Sequence, residues 1–193
     1  MKTEFEVKFY PINKDEFREK LRSKKATLVN PEVKTKAATY NSLANPQIKC
    51  HYIRVRDEGN KIRLSAKIHA MPLGKVSDQK EVDTIVDNFS NAVEILEAAG
   101  LKRSGFAEKM RETWKLNGTE IVIDTWPSLE TLIEIEADSE EKVKEIALLL
   151  NLPWEEKIIT SVVEIYMKRY NLSIEEVLKR LEYTTFDNNP FGN

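Results

Sequence analysis

Glu4-Phe5-Glu6-Val7-Lys8-Phe9 alternates charged and apolar side chains without a break. In a strand, residues i and i+2 point the same way, so Glu4, Glu6 and Lys8 share one face and Phe5, Val7 and Phe9 the other. The same reading extends downstream. Ile53-Arg54-Val55-Arg56 places two arginines together. Lys61-Ile62-Arg63-Leu64-Ser65-Ala66-Lys67-Ile68 sets Lys61, Arg63 and Lys67 opposite Ile62, Leu64, Ala66 and Ile68. Glu81-Val82-Asp83 pairs two acids and Lys109-Met110-Arg111 two bases. Ile121-Val122-Ile123-Asp124 ends in one acid, and Ile133-Glu134-Ile135-Glu136 pairs two acids again.

Alternation by itself describes any antiparallel sheet with one wet face. Here, however, the charges come as like-sign pairs. Two unit charges roughly 7 Å apart repel by about 0.6 kcal/mol in water and about 2.4 kcal/mol at an effective dielectric near 20. A sheet gains nothing from several such pairs unless something neutralises them. Amphipathic helices packed outside a curved sheet would cover its apolar faces and turn the charged faces inward. The expected fold is therefore α+β: an antiparallel barrel with flanking helices and a polar, hydrated interior. Charge at that density must be paired, hydrated or ligated. Carboxylates suit a hard cation, Mg²⁺ or Mn²⁺. Arginine and lysine suit phosphate oxygens. A phosphate chain carrying metal uses both.

Composition narrows the remaining classes. The 193 residues carry 30 Lys+Arg against 32 Asp+Glu, a net charge of -2, which speaks against a general nucleic-acid or anionic-membrane partner. Hydrophobic residues make up 41%, enough for one packed domain. No apolar run approaches a membrane span, and the start Met1-Lys2-Thr3-Glu4 lacks an apolar h-region. A soluble, cytoplasmic protein is the expectation. A single cysteine, Cys50, and two histidines, His51 and His69, leave no thiolate or histidine-rich metal centre. P-loop, zinc-protease and nucleophile-elbow motifs are absent.

Five helices are predicted. Asn13 caps the first, with Glu16 as box partner and Ile12 and Phe17 at the staple positions. The second runs from about Asn88 to Gly100. The third starts at Asp138. A fourth contains Ile158, Ile159, Val162, Val163 and Tyr166, and a fifth opens at Ser173 with Glu176. Thr27 to Lys49 reads as a loop with one strand near Lys34–Tyr40. Residues 1–182 read as one domain and 183–193 as a weakly ordered tail. Tyr166 and Tyr170 have packing-face spacing, and Trp114 and Trp126 read as core or rim aromatics. Lys34 and Lys36 either join a phosphate site or sit on a solvated strand.

The ordered set of pairs resembles the CYTH superfamily, the triphosphate tunnel metalloenzymes, which include class IV adenylate cyclases, thiamine triphosphatases and inorganic triphosphatases. Glu4-Phe5-Glu6-Val7-Lys8 is similar to its Glu-x-Glu-x-Lys signature, and Arg54-Val55-Arg56 to its Arg-x-Arg strand. Lys67, Glu81-Val82-Asp83, Lys109-Met110-Arg111, Asp124 and Glu134-Ile135-Glu136 follow in the family's order. The resemblance covers roughly Met1 to Leu150 and implies an eight-stranded antiparallel tunnel. It implies that Lys8, Arg54, Arg56, Lys67, Lys109 and Arg111 hold a triphosphate. Glu4, Glu6, Glu134 and Glu136, with Asp124, would hold Mg or Mn. Glu81 and Asp83 would orient basic side chains or a metal-bound water. With Lys8 they form the expected catalytic set. The implied reaction is attack of a metal-activated water on the terminal phosphorus of inorganic triphosphate, thiamine triphosphate or a nucleoside triphosphate. Cyclisation of ATP to cyclic AMP is the alternative, with Tyr40 or Tyr52 available to stack a base or merely to pack. A non-catalytic binder of polyphosphate or nucleotides is the third reading. The family's Tyr-Phe-Asp before the arginine strand is Tyr40-Asn41 here, and its Leu-Gly before the last acids is Leu129-Glu130. These departures bear on the organic part of the substrate. The Val162–Leu181 helices either close a tunnel mouth or form a homodimer surface.

Overall fold

The computed structural model describes residues 2–41, 50–69 and 79–192. The alternating stretches form β1 (Lys2–Phe9), β2 (Thr27–Asn41), β3 (Cys50–Asp57), β4 (Ile62–His69), β5 (Gln79–Val86), β6 (Arg103–Leu116), β7 (Thr119–Thr125) and β8 (Leu132–Ala137). Every pairing is antiparallel, and the sheet closes in the order β1-β5-β4-β3-β2-β6-β7-β8. The expected eight-stranded antiparallel barrel is the observed architecture.

Five helices flank it: α1 (Lys14–Ser23), α2 (Phe89–Ala98), α3 (Glu140–Leu149), α4 (Val162–Tyr170) and α5 (Ile174–Leu181). Asn13 caps α1 by accepting from the Asp15 and Glu16 amides, and Ser173 and Glu176 form a reciprocal capping box on α5. The apolar strand faces point outward to these helices. Val7, Phe9, Ile121, Ile123, Ile133 and Ile135 pack with Phe17 and Leu21 of α1 and Val143, Ile146 and Ala147 of α3. Each large aliphatic side chain so buried contributes about 1.5–3 kcal/mol. Ala38, Tyr40 and Val55 lie under Ala92 of α2. Ile165, Tyr166 and Val177 of α4 and α5 meet Leu129, Leu132 and Phe191. With the apolar faces committed outside, the charged faces are left to the interior.

Four local expectations need correction. The strand placed near Lys34–Tyr40 extends over all of Thr27–Asn41, and register shifts between Leu28 and Val33 absorb Pro31, which cannot donate to a ladder; residues 42–49 lie outside the described set. The third helix is capped by Ser139, whose hydroxyl accepts from the Lys142 amide, rather than by Asp138. Ile158 and Ile159 precede the fourth helix, and Ile158 forms a β-bridge with Lys8. β5 pairs with β1 only over Lys2–Glu4, so the backbone groups of Lys8 need a partner, and Ile158 exchanges both hydrogen bonds with it at 2.8 and 2.9 Å. Finally, the tail read as weakly ordered makes specific contacts. Thr184 exchanges backbone hydrogen bonds with Phe106 and Glu108, and Phe191 is buried against Tyr166.

Candidate active site

Cross-strand register brings the charged pairs into one bore. On β1 and β8, Glu6 lies opposite Glu136 and Lys8 opposite Glu134. On β4 and β5, Lys67 lies opposite Glu81 and Ser65 opposite Asp83. On β6 and β7, Arg111 lies opposite Asp124. Arg54 and Arg56 share a face on β3 with Tyr52. Glu4, Glu6, Lys8, Arg56, Lys67, Glu81, Lys109 and Asp124 are all buried.

The side chains interlock around four cations, Lys67, Lys8, Lys109 and Arg111. Lys67 reaches Glu4 at 2.7 Å, Glu81 at 3.2 Å and Glu6 at 3.9 Å. Lys8 pairs with Glu6 and lies 3.9 Å from Glu134. Asp124, fully buried, accepts from Lys109 at 2.5 Å and from two guanidinium N–H groups of Arg111 at 2.8 and 2.5 Å; Arg111 also donates to Glu134 at 2.7 Å. β3 differs. The Nε atoms of Arg54 and Arg56 are buried and have no hydrogen-bond acceptor among the described residues. The Arg54 guanidinium rests over the Tyr52 ring at 5.5 Å, and Arg56 Nε is 3.3 Å from a Glu58 oxygen, without hydrogen-bond alignment.

Electrostatics follow from this crowding. Burial and the neighbouring Glu81 push Glu4 up to about 8, against the pull of Lys67. Glu81 lies at about 2, because its bond with Glu4 and the charges of Lys67 and Arg54 outweigh burial. Burial and Arg111 push Lys109 down to about 8, and burial with Arg54 pushes Arg56 down to about 10. Burial opposes ionisation of Glu134, yet Lys109, Arg111 and Lys8 hold its carboxyl well below the usual range.

Not every expected residue joins this cluster. Asp83 sits at the rim, exposed, and pairs with Arg63, which also reaches Glu58 at 3.2 Å. Lys34 and Lys36 lie on the outer face, with Glu108 at 3.3 Å and over the Phe89 ring at 4.9 Å, so the solvated-strand reading is the one observed. Tyr40 is fully buried in the outer core, whereas Tyr52 shares the arginine face. The side chains of Cys50, His51 and His69 lie outside the described residues. Three contributors escape sequence reading. Glu58, beside Arg56 and Arg63, reads as an ordinary residue of the Asp57-Glu58-Gly59-Asn60 turn. Thr35 donates to the Lys109 carbonyl at 3.2 Å, and Trp126 lies under the Lys109 ammonium at 5.1 Å; neither type advertises itself in a charge pattern.

The donor set fits a hard divalent cation. It offers only carboxylate oxygens, and Glu4 and Glu81 share the one ammonium of Lys67, at 2.7 and 3.2 Å. Among the described residues, no three or more acidic, histidine or cysteine side chains enclose a metal position by themselves. A cavity of about 420 Å³ beside α1 lies outside the bore, and its Arg18 is spent on Glu112 at 2.6 Å. Among the described residues, no helix is long and apolar enough to cross a membrane.

Comparison with known proteins agrees with the geometry. A conserved hypothetical protein from Pyrococcus furiosus superposes with a TM-score of 0.69 at 24% identity, over 84% of this chain and 99% of that one. A putative adenylate cyclase from Vibrio parahaemolyticus gives 0.66 at 15% identity, over 86% and 98%. A Hippeastrum protein described as a putative adenylyl cyclase with a dominant triphosphatase activity gives 0.54 at 13% identity, over 91% and 99%. At these identities the likeness shows the fold. None of the curated proteins matches this chain in sequence. The CYTH domain itself matches residues 2–162, the whole barrel with its interior acids and bases, and this chain therefore belongs to the CYTH domain family.

Proposed function

We propose that this protein is a metal-dependent triphosphatase acting on inorganic triphosphate, thiamine triphosphate or a nucleoside triphosphate within the barrel, in the cytoplasm. The observation that carries this reading is the pair Arg54 and Arg56. Their buried Nε–H groups have no acceptor among the described residues, and their strand is diametrically opposite β8 with its Glu134 and Glu136. Non-bridging phosphate oxygens are what such donors want. A bare polyanion would, however, be repelled by Glu4, Glu6, Asp124, Glu134 and Glu136. Mg²⁺ or Mn²⁺ held by these carboxylates removes the conflict, and Mg²⁺ commonly takes one or two carboxylates and completes its shell with phosphates and water. When bound, the metal supplies charge neutralisation and a nucleophilic water at neutral pH.

The chain's own residues do the remainder. Lys8, Arg54, Arg56, Lys67, Lys109 and Arg111 hold phosphate oxygens and balance the charge that builds up as the terminal phosphoryl group is transferred. Lys8, set between Glu6 and Glu134, stands where acids and phosphate would meet. Glu81 orients Lys67, and Asp83 orients Arg63.

The test is orthophosphate release from inorganic triphosphate, thiamine triphosphate and ATP with Mg²⁺ or Mn²⁺, repeated with Glu4→Gln and Lys8→Met. The expected result is hydrolysis of at least one substrate, reduced on the order of 100-fold or more in each variant. Cyclic AMP in place of orthophosphate, tight binding without turnover, or unchanged rates in both variants each contradicts the proposal.

A further inference from the structure

The indole N–H of Trp126 has no place in the mechanism above, yet it is buried and has no acceptor among the described residues. An orphaned buried donor is destabilising, because the water it gave up is not replaced. The chain satisfies such a group elsewhere: Trp114 donates its indole N–H to Glu112 at 2.5 Å. Trp126 lies one residue beyond the end of β7 and two beyond Asp124, beside the bore residue Lys109. The rest of its ring packs against the apolar cluster of Leu129, Leu132, Ile165 and Tyr166, so the indole is fixed in place. Lys109 stands over its face, 5.1 Å from the centroid, with its ammonium already on Asp124.

We infer that Trp126 donates its indole N–H to a phosphate oxygen of the bound substrate, at the same phosphate that Lys109 contacts. The indole nitrogen is about 2 Å from its ring centroid, hence within about 7 Å of the Lys109 ammonium, a gap that one phosphate spans by accepting from both at ordinary lengths near 2.9 Å. Lys109 approaches the ring face while the N–H lies in the ring plane, so the two donors approach the phosphate from different directions. The inference rests on the polyphosphate reading and adds a specificity element to it. The group seated beside Lys109 must present an anionic oxygen acceptor; a base edge or an alkyl group would leave the indole unpaired.

Trp126→Phe keeps the ring and the cation–π contact and removes only the donor. Binding of imidotriphosphate, a non-hydrolysable linear analogue, is measured with Mg²⁺ by calorimetry, beside thermal unfolding of the free protein. The expected result is about tenfold or more weaker binding, with a melting temperature equal to or above wild type, because an unsatisfied group has been deleted. Wild-type affinity in Trp126→Phe overturns the inference and leaves the polyphosphate reading standing. So does a lowered melting temperature with unchanged affinity, which would assign the N–H to a structural water. Failure of the wild-type protein to bind the analogue overturns both. If the variant does not fold, ¹⁵N spectra of the wild-type protein decide. One of the three indole N–H signals should move downfield on adding imidotriphosphate, and none doing so refutes the contact.

Discussion

Replacing Asp124 by asparagine removes one charge and almost no volume at the most crowded point of the bore. In the native protein, Lys109 and two N–H groups of Arg111 all end on this carboxylate, which has no exposed surface. Removing one partner of a buried ionic group costs about 3–5 kcal/mol. Asparagine keeps one carbonyl oxygen that accepts from Arg111, which places the loss near the lower figure, about 3 kcal/mol. For a domain of this size that is a fall of roughly 6–12 °C in melting temperature. Lys109 responds further. Burial and Arg111 already push it down to about 8, and Asp124, with Glu134 behind it, holds it up. In Asp124→Asn the Lys109 ammonium is pushed lower still, whereas Arg111 stays charged. Urea unfolding at pH 7.5 measures the loss, with an unchanged m-value expected because the fold is intact. Imidotriphosphate with Mg²⁺ should restore part of it, since phosphate oxygens accept what Asp124 gave up. A loss below about 1 kcal/mol, the range of a surface ion pair, refutes the claim that this carboxylate anchors a buried cluster.

Three further outcomes are expected. Arg18→Ala leaves Glu112 buried with only the Trp114 N–H, and should cost about 2–3 kcal/mol in urea unfolding while triphosphate affinity stays within twofold of wild type. A large affinity change there would mean that the outer network reaches the bore. Burial opposes ionisation of Glu58, but Arg56 and Arg63 hold its carboxyl below the ordinary range. Its contribution, about 1 kcal/mol, is therefore fully present above pH about 4.3 and fades as pH falls through the lowered value. The stability gap between wild type and Glu58→Gln should close in acid and be constant from pH 5 to 8, and a gap that widens in acid has the wrong sign. Chelation of divalent metal should abolish triphosphate hydrolysis, with Mg²⁺ or Mn²⁺ restoring it. The melting temperature should move by less than about 4 °C, because the largest apolar cluster lies between the outer face of the barrel and α1 and α3; unfolding on chelation would make the metal structural.

How far the sequence is legible depends on whether a residue declares itself by period. Glu4, Glu6, Lys8, Arg54, Arg56, Glu134 and Glu136 each sit two residues from another charge, and the register of β1, β3 and β8 gathers them as strand geometry requires. β2 is harder to read, because Pro31 and two shifts in register break its alternation and it looks like a loop. Ile158 has helical neighbours and apolar character; only the backbone of Lys8, left open by how β1 meets β5, draws it into a β-bridge. Asp83 carries the right charge in the right period, yet stays at the rim beside Arg63, because charge pattern fixes a face and not a depth. Glu58 and Trp126 enter the bore region from a turn and from a strand end, where no periodicity applies.

Crystals grown with imidotriphosphate and Mn²⁺ provide the most direct measurement, since anomalous scattering locates the metal independently of the phosphates. Manganese should lie inside the barrel against carboxylates of β1 and β8, with phosphate oxygens on the guanidinium groups of Arg54 and Arg56. Manganese and analogue found only on the outer surface, or an occupied bore in which both arginines still lack an anionic partner, would contradict the account.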